Sequence, residues 1–215
     1  MATSTPHMSM NKVIHGAVRR DLGRFRWALD GFTDGDRKRA TALHRAWANF
    51  DAQLTEHHEG EHEIAWPALQ AIGVAGPTIA TFDAEHEQMA TDLASTRDAM
   101  SALRRTATRA DAEIAAAAMQ RLQATTVSHL DHEERETEPL WGQHEDEPVL
   151  KEMAKGFSRR MGVAKAGAFF AWLQDGATAD ERAALNAQVP RPVLAIIGGL
   201  FGRRYRREIA SVWLR

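Results

Sequence analysis

The chain has 215 residues, 44% hydrophobic and 26% charged, which is enough for one sizeable core or for one domain with an extension. Lys+Arg 27 against Asp+Glu 29 leaves a formal charge of -2, so neither the basic footprint of a nucleic-acid binder nor an acidic tail is present. With no cysteine, disulfides, thiolate-held zinc, iron–sulfur clusters and cysteine nucleophiles are all excluded, and any metal must be held by His and carboxylate.

Residues 1–7 are polar and lack the apolar stretch of a secretory signal; they are expected to form a disordered tail in which His7 has no role. No run approaches the ~18 apolar residues of a spanning helix, and a cytoplasmic location is the expectation. Residues 8–140 carry helical periodicity in four segments, placed at about 8–32, 36–66, 78–105 and 109–138. The breaks fall at Thr33-Asp34-Gly35, from Pro67 to Pro77, and near Thr108. Such short connections imply antiparallel neighbours, hence an all-α, up-down-up-down four-helix bundle.

The apolar seams recur at steps of three and four. Helix 1 gives Met8, Asn11, His15, Val18, Leu22, Phe25, Leu29 and Phe32. Helix 2 gives Leu43, Trp47, Phe50, Leu54, His57, Glu61 and Ile64, and helix 3 gives Ile79, Phe82, His86, Met89, Leu93, Thr96, Met100 and Leu103. The helix 4 seam is Ala115, Met119, Leu122, Thr126, His129 and Glu133, less decisive because small and polar residues interrupt it. Residues 147–215 form a helical C-terminal extension: Val149, Leu150, Met153 and Phe157, then Phe169, Phe170, Trp172 and Leu173, suggest one or two helices. Thr178 to Glu181 is a capping-box start for another. The stretch from Pro190 to Trp213 joins Val193, Leu194, Ile196 and Ile197 to Arg203, Arg204, Arg206 and Arg207. It is expected to pack against the bundle, with a dimer interface, membrane contact or a lid over a site as alternatives.

Six residues intrude on the apolar seams: His15, His57, Glu61, His86, His129 and Glu133. A carboxylate or imidazole facing a core costs several kcal/mol unless it is paired or bound to a metal. In an up-down bundle these six share one height, about 14 Å from one end at 1.5 Å per residue. Helices 2 and 4 repeat each other: His57-x-x-x-Glu61 is followed by Pro67 as His129-x-x-x-Glu133 is by Pro139. Residues four apart share a helix face, so two such pairs and one His from each remaining helix build a pseudo-twofold site for two cations. Donors of N and O without sulfur suit Fe, Mn or Zn. His58 and His132 stand close enough to serve as additional ligands or as partners of ligands; His44 and His144 are expected in solvent, His62 exposed or just outside the site, and Glu59, Asp131 and Glu134 on a charged face.

Over residues 8–140 the chain resembles the hemerythrin-like (HHE cation-binding) proteins. The resemblance is carried by Val-Ile-His-Gly-Ala-Val-Arg-Arg-Asp-Leu with His15, by His-His-Glu-Gly-Glu-His-Glu-Ile-Ala-Trp-Pro-Ala-Leu with His57 and Glu61, by Ala-Glu-His-Glu-Gln with His86, and by His-Leu-Asp-His-Glu-Glu-Arg-Glu with His129 and Glu133. It implies a diiron site with an oxide or hydroxide bridge, iron being favoured over manganese or zinc, and a small diatomic or peroxide ligand. Members that carry O2 have His-x-x-x-His on the third helix, whereas here Ala90 follows His86 by four and Phe82 precedes it by four. Unless His58 fills the gap, one iron keeps an open position, which favours reaction over carriage. The favoured expectation is oxidoreductase chemistry on peroxide, NO or O2 with an external electron donor. A non-enzymatic module that senses or carries O2 or iron comes second, and a diiron oxidase of an organic substrate third. A ferritin-like site fits less well, since that class uses Glu-x-x-His and here His comes first.

Overall fold

A computed structural model describes residues 8–144 and 146–214, and among them no strand occurs. The tail expected at 1–7, with His7, lies outside the described residues.

Four long helices make the bundle: α1 (Met10–Asp30), α2 (Arg37–Gly60), α4 (Gly76–Thr106) and α5 (Arg109–His144), with a short α3 (Trp66–Ala71) continuing α2. Ser9 caps α1 by accepting from the Lys12 amide, and Asp36 caps α2 by accepting from the Arg39 amide. The α1–α2 and α4–α5 connections meet at one end. There Gly35 donates to the Ala107 carbonyl at 2.7 Å, and the Arg109 guanidinium donates to the Asp30 and Phe32 carbonyls at 2.9 and 3.0 Å. Around the bundle α1 packs on α5 and α2, and α4 packs on α5 and α2. The predicted seams face inward: Val18, Leu22, Phe25, Leu43, Trp47, Phe50, Met89, Met100, Met119 and Leu122 are all buried, the weak fourth seam included.

Two boundaries differ from the sequence expectation. Helix 2 does not stop before Pro67 but widens into a π turn, Glu61–Ala65, in which the Trp66 amide reaches back to the Glu61 carbonyl. The wider turn makes room for the proline ring, which would collide with the preceding turn of a regular helix. It also inserts one residue into the register, so Ile64 is only half-buried while Ala65, Trp66 and Leu69 face inward. Helix 4 likewise runs past 138, carrying Pro139 inside it to His144.

The extension comprises α6 (Pro148–Gln174), α7 (Ala179–Gln188), α8 (Arg191–Phe201), α9 (Arg203–Glu208) and a 3-10 turn (Ala210–Trp213). Gly162 breaks α6 with φ 62 and ψ 166, a left-handed φ that favours glycine. The capping box of Thr178 and Glu181 forms in both directions. This layer packs on the bundle: Trp172, Leu185, Leu194, Tyr205, Ile209 and Val212 join the main apolar core with Leu22, Phe25 and Trp47. A second, smaller apolar cluster holds Ala65, Trp66, Leu69, Ile79 and Phe82, against which Met153 and Phe157 of α6 pack. On α2 and α4 the polar residues His57, Glu61 and His86 lie between the two clusters, with Leu54 and Met89 on one side and Ala65 and Phe82 on the other.

Candidate metal centre

His15 on α1 and His57 on α2 bring their Nε2 atoms to 3.2 Å of each other. His86 on α4 and His129 on α5 bring theirs to 2.9 Å. The carboxylates of Glu61 and Glu133 span these two imidazole pairs. Glu61 Oε1 is 3.1 Å from His57 Nε2, and its Oε2 is 3.5 Å from His86 Nε2. Glu133 Oε2 is 3.2 Å from His15 Nε2 and 3.9 Å from His129 Nε2. Each carboxylate therefore touches both pairs. Donor atoms of His15, His57 and Glu61 all lie within 4.8 Å of one another, and so do those of His58, Glu61, His86 and His129. Glu61 is common to both groups.

Helix geometry puts them there. Steps of four bring His57 and Glu61, and His129 and Glu133, to one face each. The π turn begins at Glu61 itself, so the residue that joins the two groups sits where α2 leaves regular geometry. A Cβ on Gly60 would come within 2.7 Å of the Phe157 ring, so the missing side chain lets α6 close over the outside of this turn.

The imidazoles are held from behind. His15 Nδ1 meets Glu134 at 3.0 Å, and Arg19 grips Glu134 at 2.5 Å and Asp131 at 2.6 Å. Glu85 lies 2.8 Å from His129 Nδ1 through one oxygen and 2.9 Å from His132 Nδ1 through the other. With Nδ1–H donated to a carboxylate, the Nε2 lone pairs of His15 and His129 are offered to the interior. Asn11 donates to Glu133 Oε1 at 2.9 Å. Trp66 stacks on His86 with centroids 5.6 Å apart, and its Nε1 donates to Asp83 at 2.9 Å.

Both oxygens of Glu61, Glu133 Oε2 and His58 Nε2 are buried without a hydrogen-bond partner among the described residues. Buried acceptors left unpaired cost free energy, and a cation between them removes that cost, so the residues fit a metal. Without one, charge is shared by protons. Burial would lower His15, but Glu133 and Glu134 on its two nitrogens outweigh it and hold it above its ordinary 6.5. Burial, then neighbouring imidazoles, push His57 and His58 well below that value, and burial with His129 takes His86 to about 3. Burial and the adjacent Glu133 push Glu61 well above the usual carboxylate range, whereas contact with His15 holds Glu133 below it in spite of burial.

A family model described as hemerythrin HHE cation binding domain matches residues 11–141. The chain belongs to this hemerythrin family. Curated proteins and solved structures gave no match. The hemerythrin-like bundle thus holds His and Glu groups able to bind metal, and all six seam intruders meet at one level. On the third long helix Ala90 is exposed and Phe82 is buried against the His129 and His132 rings, so no second imidazole comes from α4. His58 stacks on His86 at 4.2 Å and enters the second donor group from α2 instead. His132 turns away to Glu85. His44 and His144 are half-buried where solvent was expected, while His62 is exposed and meets Asp83 at 3.0 Å. Glu134, expected on a charged face, is drawn inward to His15, and Glu85, adjacent in sequence to His86, serves His129 across the helix interface. Neither partnership has a sequence signal, because each joins residues more than forty positions apart.

Proposed function

We propose that this hemerythrin-like protein holds two iron ions and reacts with a small oxidant, namely peroxide, NO or O2. His15 and His57 would hold one ion, His58, His86 and His129 the other, with Glu61 and Glu133 between them. The observation that carries this is that each carboxylate reaches both imidazole pairs. Iron in such a site supplies a metal that changes oxidation state on meeting those oxidants.

The protein's own groups do the rest. Glu134 with Arg19, and Glu85, keep the Nδ1 protons of His15 and His129 on the outer side, which fixes the rings and aims Nε2 inward. Asn11 engages one oxygen of Glu133 and leaves the other for the interior. Trp66 and Phe82 pack against the His86 and His129 rings at one end of the site, and Leu54 and Met89 are buried at the other, which limits the access of bulk water. The pair with two imidazoles has fewer donors than the group with three, so an exchangeable position belongs beside His15 and His57.

The arrival of His58 also favours a second reading. It supplies the imidazole that α4 lacks and so restores a five-histidine set, which suits reversible binding or sensing of O2 or iron. Metal analysis with absorption spectra of anaerobic protein before and after O2, NO and peroxide separates the two. Close to two irons per chain and consumption of peroxide or NO over many cycles are expected. A long-lived, reversible O2 adduct with no turnover would assign the protein to the carriers or sensors.

A further inference from the structure

Far from the metal-centre residues in sequence, the last helices present a distinct surface. Glycines seat α8 on α6: a Cβ on Gly167 would come within 2.8 Å of the Phe201 backbone, and one on Gly202 within 3.0 Å of the Gly167 carbonyl oxygen. Leu194 and Gly198, one turn apart, are buried in that contact. The rotation of α8 is thereby fixed, and its other face is turned outward. Val193, Ile196 and Leu200 follow one another at steps of three and four, 38%, 60% and 59% exposed, and Phe201 beside them is 47% exposed. Among the described residues seven large hydrophobics stand exposed, and four of them are on this one helix of 11 residues. Concentration of that kind marks an interaction site.

The charge around it has one sign. Arg191, Arg203, Arg204, Arg206 and Arg207 are all exposed, and Glu208 is the single acid between 191 and 214, in a chain whose formal charge is -2. Arg204 and Arg207 share Glu208 yet remain 84% and 76% exposed. Arg191 and Arg203 make no ion pair among the described residues.

We propose that α8 and α9 dock the protein on an anionic lipid surface, the four apolar side chains entering the headgroup boundary and the arginines meeting lipid phosphates. A second copy fits this surface poorly, because a twofold contact would set the same arginines against each other. Among the described residues no helix is long and apolar enough to cross a membrane, so the contact is peripheral. Arginine's planar guanidinium pairs with phosphate, and the attraction weakens with salt because the distance over which charges act shortens to about 10 Å at 0.1 M.

The test is co-sedimentation of the full chain with vesicles of phosphatidylcholine alone and of phosphatidylcholine with phosphatidylglycerol, at low and high salt, beside its mass in solution by light scattering. Binding to the anionic vesicles at least tenfold above the neutral ones is expected, lost at high salt. Ile196→Glu with Leu200→Glu should abolish it, and Arg191→Gln with Arg203→Gln should weaken it several-fold, with melting temperature and metal content unchanged. Absence of vesicle binding, or binding that both pairs of substitutions leave intact, overturns the proposal. So does a concentration-dependent dimer that Ile196→Glu dissolves, which would assign the face to a second copy.

Discussion

Glu61 offers one oxygen to His57 and the other to His86, and Glu133 crosses the same space from α5. Replacing either by Ala is expected to remove at least one of two metal ions per chain, measured by elemental analysis. Full metal in both variants would remove the case for a shared site. Glu85→Ala leaves every donor atom in place but frees the His129 ring, and metal affinity should fall about 10–100-fold in competition with a chelator. Acid acts through the same groups. Burial holds His57, His58, His86 and His129 below their ordinary 6.5, aided by neighbouring imidazoles at the first three and opposed by Glu85 and Glu133 at His129, and His86 is taken down to about 3. Between those values the folded chain binds fewer protons at these groups than the unfolded chain does, so their contribution rises with pH. Glu61, held protonated, pulls the other way, but four imidazoles act against this one carboxyl; His15, raised above 6.5, is protonated in both states over this range and weakens the fold only at higher pH. The melting temperature of metal-free protein should therefore climb from pH 3 to 6.5; a flat or falling profile would show that the imidazoles are not buried as described. Most of this site was legible in the sequence because a histidine or glutamate on an apolar seam is out of place. Glu85, Glu134 and Arg19 were not, since their partners lie on other helices and their own positions look solvent-facing.

At the scale of single elements, the π turn between α2 and α3 departs most from what periodicity predicts. A strict seam carries His57 and Glu61 on to Ile64, but the extra residue turns Ala65 inward instead. Removing the exposed His62 would restore a regular helix and keep both flanking faces in register, while shifting Glu61 and setting Pro67 within an ordinary helical interior. That should lower stability by about 3 kcal/mol, recovered when Pro67→Ala is added, whereas metal affinity should stay low in both chains. Recovery of affinity with the second change would show that the turn serves the proline and not Glu61. Period and caps were enough to place the four long helices, but not to show that two of them run through a proline, because Ile64 and Ala65 are both apolar and either could stand at the inward position, which hides the extra residue.

For the molecule as a whole, the extension is bound by polar contacts as well as by its apolar face. The buried Asp21 accepts from Trp172 Nε1 at 2.8 Å, Arg24 joins Asp21 to Asp175, and Tyr205 donates to Asp175 at 3.0 Å. Trp213 meets Phe25 edge-on at 5.0 Å, and Arg39 donates to the Val212 carbonyl at 2.7 Å. Truncation after Val189 would uncover the core under Leu194, Ile209 and Val212, worth about 1.5–3 kcal/mol for each large side chain, and a clear fall in melting temperature is expected with metal content retained. An unchanged melt would mean that the extension is a passenger. The helices of this layer could be read from their apolar clusters and the Thr178 cap, and its packing on the bundle was the expectation, but the polar contacts that hold it could not be read, because Asp21 looks like an ordinary charged residue of α1. The oxygens of Glu61 carry one more consequence, for the order in which the centre fills. Without metal, burial and the adjacent Glu133 keep a proton on Glu61, so the first ion must displace that proton, whereas the second meets a carboxylate already ionised and is held more tightly. Occupancy should then proceed in pairs: a titration with ferrous ion would be steeper than a simple hyperbola, and at half an equivalent of full loading most chains would hold either two ions or none.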